Sequence, residues 1–290
     1  PDEIEERIES IILDGSETVQ LKTGMQVGRR VGALNALAEY KEFLLGTTDT
    51  SLRGLKIVLD CAHGAASVVG PRAFQELGAT VVPYYNTPDG TNINDNCGST
   101  HPEKLTQLVT ELGADMGLAF DGDADRVIAV DEHGVIVDGD QIMAICAIDL
   151  KQRGLLKKDT LVCTVMSNLG LDIAMEQHGI RTVKTKVGDR YVLEEMLKNG
   201  YSFGGEQSGH IIFLDLSSTG DGILSGIQLA SVMMRSGMSL SKLASKVSIL
   251  PQVLVNARVK EEYKDSILED EQIKARIKEL EARFAGKGRV

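Results

Sequence analysis

The chain alternates between short apolar runs and longer segments in which apolar residues recur every three or four positions. A short apolar run is typical of a buried strand, and the longer spacing is typical of an amphipathic helix. The order strand, helix, strand, helix, strand occurs twice along the sequence. This alternation predicts an α/β fold of two consecutive domains with mixed, mainly parallel sheets.

The individual elements follow from the same pattern and from residues that start or stop helices. We predict strands at residues 56–60, 80–84, 116–120 and 127–130 of the first domain, and at residues 161–165, 181–186 and 211–214 of the second. We predict helices at residues 65–77, 102–113, 168–179, 188–200 and 222–235, with Asn168 and Asp221 as N-caps. Pro102 suits the first helical position because the N–H that it lacks is not needed there.

Two domains fit the length, because 290 residues are enough for about two domains of ~150 residues. We place the first α/β domain at residues 47–149 and the second at residues 150–256. Residues 1–46 are mostly helical and too short for a large core, and residues 257–290 look like the opening of another domain. We therefore expect the chain to be a piece of a longer protein.

Composition narrows the classes of protein. The net charge of −11 and the pI near 5.0 argue against a nucleic-acid binder, which usually has a basic face. No apolar run approaches the ~18 residues of a membrane span, and the acidic start of the chain does not resemble a signal peptide. The four cysteines form no CxxC pair, so we predict buried free thiols and a cytoplasmic protein.

Three carboxylates alternate with small residues directly after the predicted strand 116–120. They belong to Asp121, Asp123 and Asp125. Carboxylates this close repel each other, so one of them must be protonated or a cation must lie among them. Oxygen ligands favour a hard dication, and ligands of open α/β sheets bind where strands end. The cluster therefore predicts a Mg²⁺ site that assists phosphate chemistry.

The acidic cluster also has other interpretations. A calcium-binding EF-hand would place Asp121 at position 1 and Glu132 at position 12 of the loop, but Arg126 then stands where glycine is required. A phosphatase with an aspartyl nucleophile also places acids after a strand, and this alternative stays open. Arg126 itself suits either a bidentate phosphate contact or a salt bridge to the neighbouring acids.

Two further segments carry candidate chemistry. In Gly204–His210, glycines bracket a carboxylate, an amide and a hydroxyl on a predicted tight loop, which suits recognition of sugar hydroxyls. In Thr185–Tyr191, a strand delivers Lys186 just before a helix N-terminus, which is a favourable environment for an anion. A plain polar connection in the first segment, and a capping Asp189 with a surface Lys186 in the second, are the structural alternatives.

Together these segments resemble the α-D-phosphohexomutase superfamily. The acidic cluster 121–126 marks the superfamily, while Gln207 and residues 188–190 resemble its bacterial phosphoglucosamine mutase branch. Similar stretches at 88–94, 97–103 and 219–222 extend the resemblance along nearly the whole chain. The resemblance implies domains 2 and 3 of a four-domain fold, with the end of domain 1 before them and the start of domain 4 after them.

The resemblance also implies an activity and its residues. Members of the branch interconvert glucosamine 6-phosphate and glucosamine 1-phosphate through a phosphoserine and a bisphosphorylated sugar, for amino-sugar nucleotide and cell-wall precursor synthesis. It implies Mg²⁺ on the three aspartates, catalytic help from Arg126, Lys186 and His210, and substrate binding by Gly205, Glu206, Gln207, Ser208 and Arg190. The implied partner is a sugar phosphate, with a homodimer as the expected assembly at full length.

The chain also departs from the family pattern. It contains no Ser-His-Asn-Pro tetrapeptide, where the family carries its nucleophile, and no Arg-x-Ser-Gly-Thr loop, which grips phosphate in domain 4. The segment Ser99–Pro102 lacks the asparagine and opens a helix, so we reject it as the nucleophile. We therefore expect this chain to be inactive alone. Another phosphohexomutase (a phosphomannomutase or phosphoglucomutase) and a Mg²⁺-dependent phosphatase are the alternatives.

Overall fold

The computed structural model describes residues 2–15, 20–29, 31–32, 35–253, 255, 258, 260, 269–285, 288 and 290. The chain divides into two compact units, Pro1–Leu37 and Ala38–Val290. The first unit contains α1 (Asp2–Leu13) and a short 3₁₀ turn (Gly24–Gln26). The second unit contains every strand found in the described part of the chain.

The first sheet has five strands in the order β2-β1-β3-β4-β5. They are β1 (Lys56–Asp60), β2 (Thr80–Tyr84), β3 (Met116–Phe120), β4 (Val127–Asp131) and β5 (Ile136–Val137). The first three strands run parallel, and β4 and β5 are added antiparallel. The helices of this part are α2 (Ala36–Gly46), α3 (Ala66–Glu76) and α4 (Glu103–Leu112).

The second sheet has four strands in the order β7-β6-β8-β9. They are β6 (Thr160–Thr164), β7 (Arg181–Thr185), β8 (Phe203–Gly205) and β9 (Ile211–Phe213), of which β9 alone is antiparallel to its neighbour. The helices are α5 (Gly139–Gln152), α6 (Leu169–Gln177), α7 (Asp189–Asn199), α8 (Gly222–Ser236), α9 (Leu240–Ala244) and α10 (Glu271–Phe284). The predicted fold class is therefore confirmed.

The two sheets follow the same plan, since β2-β1-β3-β4 and β7-β6-β8-β9 have equivalent orders and directions. In each sheet the third strand in chain order ends in a loop that leads into an antiparallel strand. The loop after β3 carries the three aspartates, and the loop after β8 carries the segment from Glu206. The two candidate segments thus occupy equivalent positions in the two sheets.

One continuous core joins the sheets. Its buried side chains include Phe120 and Val127 from the first sheet and Phe203 from the second. Helix α8 is buried at every position from Gly222 to Met233, as expected of a helix that is surrounded by protein. The shared core fixes the ends of β3 and β8 against each other.

The structure departs from the predicted elements at a few points. Pro102 is the N-cap of α4 rather than its first residue, a one-residue difference at a helix end. Gly204 and Gly205, which belong to the predicted tight loop, instead form the short buried strand β8 together with Phe203. Helix α5 was not predicted. All four cysteines are buried and free, as predicted.

Two further expectations concern the ends of the chain and the membrane. Part of the segment predicted to begin a new domain after residue 257 lies outside the described residues, and α10 falls in its second half. Among the described residues, no helix has the length and the apolar character needed to cross a bilayer.

Candidate functional site

The three aspartates converge at the end of β3. Each of Asp121, Asp123 and Asp125 offers one carboxylate oxygen, and these oxygens all lie within 4.8 Å of one another. They converge because Ala124 takes a left-handed backbone conformation (φ 61°), which turns the chain between the second and third acid. The described residues contain no other cluster of this kind. An oxygen-only set of this size suits a hard dication.

Backbone contacts hold this loop, which we call the metal loop (residues 121–126). The N–H of Ala65 donates to the carbonyl oxygen of Gly122 (2.9 Å), and the N–H of Arg126 donates to Oδ1 of Asp121 (3.1 Å). Gly64 approaches so closely that a Cβ there would lie 2.2 Å from the Gly122 oxygen. The turn before α3 is thus a direct support of the metal loop.

The electrostatics of the trio are those of a site built for a cation. Burial, together with the hydrogen bond to Asp121 and the charges of Asp121 and Asp123, raises the pKa of Asp125 to about 7. Nε of Arg126 lies 3.8 Å from oxygens of both Asp121 and Asp125, which offsets the repulsion only in part. The Arg126 side chain is 44% exposed and remains accessible to an anion.

Residues 204–210 comprise the last two residues of β8 and the loop that follows it, and we call them the sugar loop. It meets the metal loop at a single antiparallel bridge between Arg126 and His210. The N–H of Val127 also donates to the carbonyl oxygen of Gly209 (3.1 Å). Gly209 has φ 95°, and a Cβ there would lie 2.2 Å from the oxygen of Val127. The two loops therefore form one continuous surface.

His210 lies between acids of both sheets. Its side chain is 3% exposed, and its Nε2 lies 3.6 Å from Asp125 and 3.7 Å from Asp189. Burial lowers the pKa of His210, although the charges of Asp189 and Glu206 act in the opposite direction. Its Nδ1 has no hydrogen-bond partner among the described residues. A neutral imidazole next to the carboxylates is the form favoured near neutral pH.

The polar side chains of the sugar loop use only part of their hydrogen-bonding capacity within the protein. Oε1 of Glu206 accepts a hydrogen bond from the N–H of Gly188 (3.0 Å), and Nε2 of Gln207 donates to Oδ2 of Asp138 (3.2 Å). Ser208 is exposed, whereas Gly205 is buried. Among the described residues, Glu206 and Gln207 each have one side-chain oxygen without a hydrogen-bond partner, so the loop has acceptors for hydroxyl groups.

Lys186 lies in the connection between β7 and α7, Arg190 lies in the first turn of α7, and both are exposed. Nζ of Lys186 is 5.9 Å from the ring centroid of Tyr191, and Nε of Arg190 is 2.9 Å from Glu194. The structure thus brings Arg126 and His210 to the aspartates. The contacts of Lys186 and Arg190 described here are with residues of α7.

Two cavities adjoin the loops. A cavity of about 340 Å³ is lined by Tyr40, Asp123, Asp125 and Asp221, among others. A second, of about 520 Å³, is lined by Asn168, Gln207 and the segment Ile249–Gln252. Both volumes are in the range of ligand sites.

Asp138 is a residue of this region that the sequence analysis missed. It caps α5, accepting a hydrogen bond from the N–H of Gln141, and the Gln141 side chain bonds back in a capping box. The spacing Asp-x-x-Gln was a detectable signal of that helix start. Its contact with Gln207 joins residues 69 positions apart and carries no local signal.

The raised pKa of Asp125 predicts a pH-dependent stability in the absence of divalent cations. In the unfolded chain this carboxyl loses its proton near pH 4, whereas the folded chain keeps it until about pH 7. Its contribution to the free energy of unfolding is therefore full below about pH 4 and lost as the pH rises to about 7. Asp125→Asn should accordingly be more stable than the parent chain at pH 8, by about 1 to 2 kcal/mol after solvent screening.

Urea unfolding of both chains in EDTA at pH 5 and pH 8 tests this expectation. The advantage of Asp125→Asn should be clearly larger at pH 8. An equal difference at the two pH values would mean that repulsion among the aspartates does not govern the titration of Asp125.

Comparison with known families agrees with this architecture. Residues 35–134 match the family model described as phosphoglucomutase/phosphomannomutase, alpha/beta/alpha domain II, and residues 138–248 match domain III of the same family. Together these matches take in well over half of the chain. The chain therefore belongs to the phosphoglucomutase/phosphomannomutase family, which confirms the predicted resemblance. The domain boundaries drawn from the sequence stay predictions.

Individual proteins of known function also have high sequence identity to this chain. The chain is 59% identical to the phosphoglucosamine mutase of Caldanaerobacter subterraneus subsp. tengcongensis and 59% identical to that of Acetivibrio thermocellus. The alignments cover all of this chain but 65% and 64% of those proteins. The chain thus spans slightly less than two thirds of the length of either relative.

Solved structures share the fold. A phosphoglucomutase/phosphomannomutase family protein from Burkholderia thailandensis superposes with a TM-score of 0.71 at 26% identity, over 86% of this chain and 53% of that one. The N-acetylphosphoglucosamine mutase of Aspergillus fumigatus, in complex with GlcNAc-6P and magnesium, superposes with a TM-score of 0.63 at 20% identity, over 84% of this chain and 61% of that one. The second likeness concerns the fold alone.

Proposed function

We propose that this chain is the metal-binding and sugar-binding part of a phosphoglucosamine mutase, which interconverts glucosamine 6-phosphate and glucosamine 1-phosphate. The observation that carries the proposal is the junction of the metal loop and the sugar loop at Arg126 and His210. It makes one site from a carboxylate trio and a set of hydroxyl-binding groups. The 59% identity to two phosphoglucosamine mutases supports the choice of substrate.

Asp121, Asp123 and Asp125 would hold Mg²⁺. Their donor set fits the ion, since all three offer oxygens and their mutual repulsion is what a dication relieves. When bound, Mg²⁺ supplies positive charge that stabilises a phosphoryl group in transfer between oxygens. The bound ion of the Aspergillus fumigatus enzyme supports the same choice of metal.

The protein side chains around the trio supply binding and proton handling. Arg126, partly exposed and already beside two aspartates, would pair with phosphate oxygens once the cation neutralises those acids. Nε2 of His210, in a neutral imidazole, would hold or accept a proton beside the metal loop. Lys186 and Arg190 at the start of α7 would add positive charge for the substrate phosphate, which the net negative chain needs.

The sugar loop would orient the hexose. Glu206 is fixed through one oxygen by the N–H of Gly188, so its second oxygen is held ready for a sugar hydroxyl. Ser208 would donate or accept at a neighbouring hydroxyl. Gln207 is fixed by Asp138 through its amide nitrogen and would offer its carbonyl oxygen. Gly205 would leave room for this loop, since a Cβ there would lie 2.5 Å from the His210 oxygen.

The complete catalytic cycle is part of the proposal. The phosphoryl donor would be a phosphoserine, and this chain contains no Ser-His-Asn-Pro tetrapeptide. We therefore expect the chain alone to bind metal and sugar phosphate without turnover. A cytoplasmic location and a homodimer at full length remain expectations from the sequence.

Substrate binding by Glu206 provides the test. Glu206→Gln keeps an acceptor for Gly188 but loses the charge, so the affinity for glucosamine 6-phosphate in Mg²⁺ should fall about tenfold, as for a charge-assisted hydrogen bond. Isothermal titration calorimetry measures it. Glu111→Gln, an equal change on the exposed face of α4, is the control and should bind like the parent chain.

Two outcomes would contradict the proposal. If the parent chain did not bind glucosamine 6-phosphate, the proposed sugar-binding site would be contradicted. Release of inorganic phosphate from glucosamine 6-phosphate by this chain alone would favour a phosphatase that uses one of the aspartates as nucleophile.

A further inference from the structure

Helices α5 and α8 begin in the same way, with an aspartate followed by a glycine. Oδ1 of Asp138 accepts a hydrogen bond from the N–H of Gln141 (3.1 Å), and Oδ1 of Asp221 accepts one from the N–H of Leu224 (2.9 Å). Each aspartate is thus an N-cap of its own helix. The glycine that follows is the first helical residue, whose N–H has no partner inside the helix.

At α8 this free N–H supports the metal loop. Gly222 N–H donates to the carbonyl oxygen of Ala124 (2.8 Å), the left-handed residue between the second and third aspartates. A Cβ on Gly222 would lie 2.4 Å from the oxygen of Arg126 and 3.0 Å from that of Ala124. Only glycine lets the helix start this close to the loop. The second oxygen of Asp221 accepts from the hydroxyl of Tyr40 (2.8 Å), which fixes the cap further.

At α5 the same arrangement supports the sugar loop. Gly139 N–H donates to the carbonyl oxygen of Gln207 (3.0 Å). A Cβ on Gly139 would lie 2.3 Å from the oxygen of Glu206 and 2.6 Å from that of Gln207. Asp138 adds its contact to the Gln207 side chain. The start of α5 therefore fixes the backbone positions of Glu206 and Gln207.

The arrangement is reciprocal. Helix α5 follows the first sheet in the chain but starts against the loop of the second sheet. Helix α8 follows the second sheet but starts against the loop of the first. The bridge between Arg126 and His210 joins the residues that directly precede β4 and β9, which are equivalent strands. Two independent contacts of the same geometry at equivalent places argue against a coincidence of packing.

We propose that the two Asp-Gly pairs are positioning residues, Asp221 and Gly222 for the aspartates of the metal loop and Asp138 and Gly139 for the sugar loop. The proposal extends the function proposed above for these loops, and its relevance to catalysis depends on that function. The physical claim is separate: each capped helix start holds one loop, and loss of either cap loosens that loop alone.

Substitution of the two caps by alanine is a matched test of this division. Asp221→Ala and Asp138→Ala remove the same kind of cap, and both chains are expected to fold because a lost N-cap is a modest perturbation. Amide hydrogen exchange with peptide resolution should be at least about fivefold faster over residues 121–126 in Asp221→Ala, and over residues 204–210 in Asp138→Ala. Each variant should leave the other loop near the parent rate.

A general loss of stability would not produce this crossed pattern, because it would accelerate both loops together. Asp221→Asn separates the cap from the charge, since asparagine caps as well as aspartate. It should retain the parent exchange rate over residues 121–126. Equal acceleration of both loops in either alanine variant, or loss of protection in Asp221→Asn as large as in Asp221→Ala, would overturn the proposal.

Mn²⁺ alone, as a probe of the aspartates, gives a second measurement. Its affinity should fall at least about fivefold in Asp221→Ala and stay within about twofold of the parent in Asp138→Ala and Asp221→Asn. Gly70→Ala, a helical glycine of α3 with its nearest atom at 3.7 Å, is the control for Gly222→Ala, which should bind more weakly still. Equal Mn²⁺ affinity in the parent and Asp221→Ala would overturn the positioning role.

Failure of the proposed function gives a different result. A parent chain that binds no Mn²⁺ would contradict the metal site, while the hydrogen-exchange comparison would still decide whether the helix starts hold the loops.

Discussion

Replacement of Asp123 by asparagine is expected to lower the Mg²⁺ affinity of this chain by about 100-fold, the upper end of effects seen even for groups that only support a metal ligand. Asp123 is the most exposed of the trio, so its substitution disturbs little packing. The change removes one of three negative charges and one of the three oxygens that lie within 4.8 Å of each other. The remaining pair repels less and binds a dication more weakly.

Calorimetric titration with Mg²⁺ at pH 8 measures the loss, because Asp125 has then released its proton. Asp215→Asn is the matched control: it makes the same charge change at an exposed carboxylate that pairs with Lys157. It should bind Mg²⁺ like the parent chain. Equal heats for the parent chain and Asp123→Asn would count against a metal site at the trio.

The second large effect is expected for Gly209→Ala. Gly209 has φ 95°, a conformation that alanine adopts only with strain, and the new Cβ would lie 2.2 Å from the backbone oxygen of Val127. That oxygen belongs to β4, which cannot shift without disturbing its ladder with β3. Strain and overlap together should lower the free energy of unfolding by about 3 kcal/mol, which corresponds to about 6 to 12 °C in Tm.

Gly90→Ala separates the two causes. Gly90 has nearly the same φ (92°) but lies in open space, so alanine there carries the backbone strain without the overlap. Thermal unfolding should show a loss of about 1 kcal/mol for Gly90→Ala, clearly smaller than for Gly209→Ala. Equal losses would mean that the approach of the sugar loop to Val127 is not tight.

The trio of aspartates could be predicted from sequence because its geometry is local. The three acids lie within five residues, directly after an apolar run that does form β3. The caps Asn168 and Asp221 were equally predictable, since a cap bonds to an N–H two or three residues away. Strands, helix caps and turns of this kind depend on residues close together in the chain, so they can be predicted without knowing how distant segments pack.

The contacts between distant segments were not predictable in the same way. His210 was a candidate, but its burial between Asp125 and Asp189 depends on how two sheets pack. The support of the metal loop by Gly222 depends on where α8 starts in space, nearly a hundred residues later in the chain. Lys186 was expected at the end of a strand; β7 ends one residue earlier, and its ammonium group lies over Tyr191.

The single bridge between Arg126 and His210 also bears on how ligands enter. It continues the backbone pairing of one sheet into the other, above a core that both sheets share. Motion that parted the loops would have to break this pairing and expose buried side chains. The junction of the two loops is thus preassembled. An incoming ion or sugar has little polypeptide to order there, so less of its binding energy is consumed as lost chain entropy.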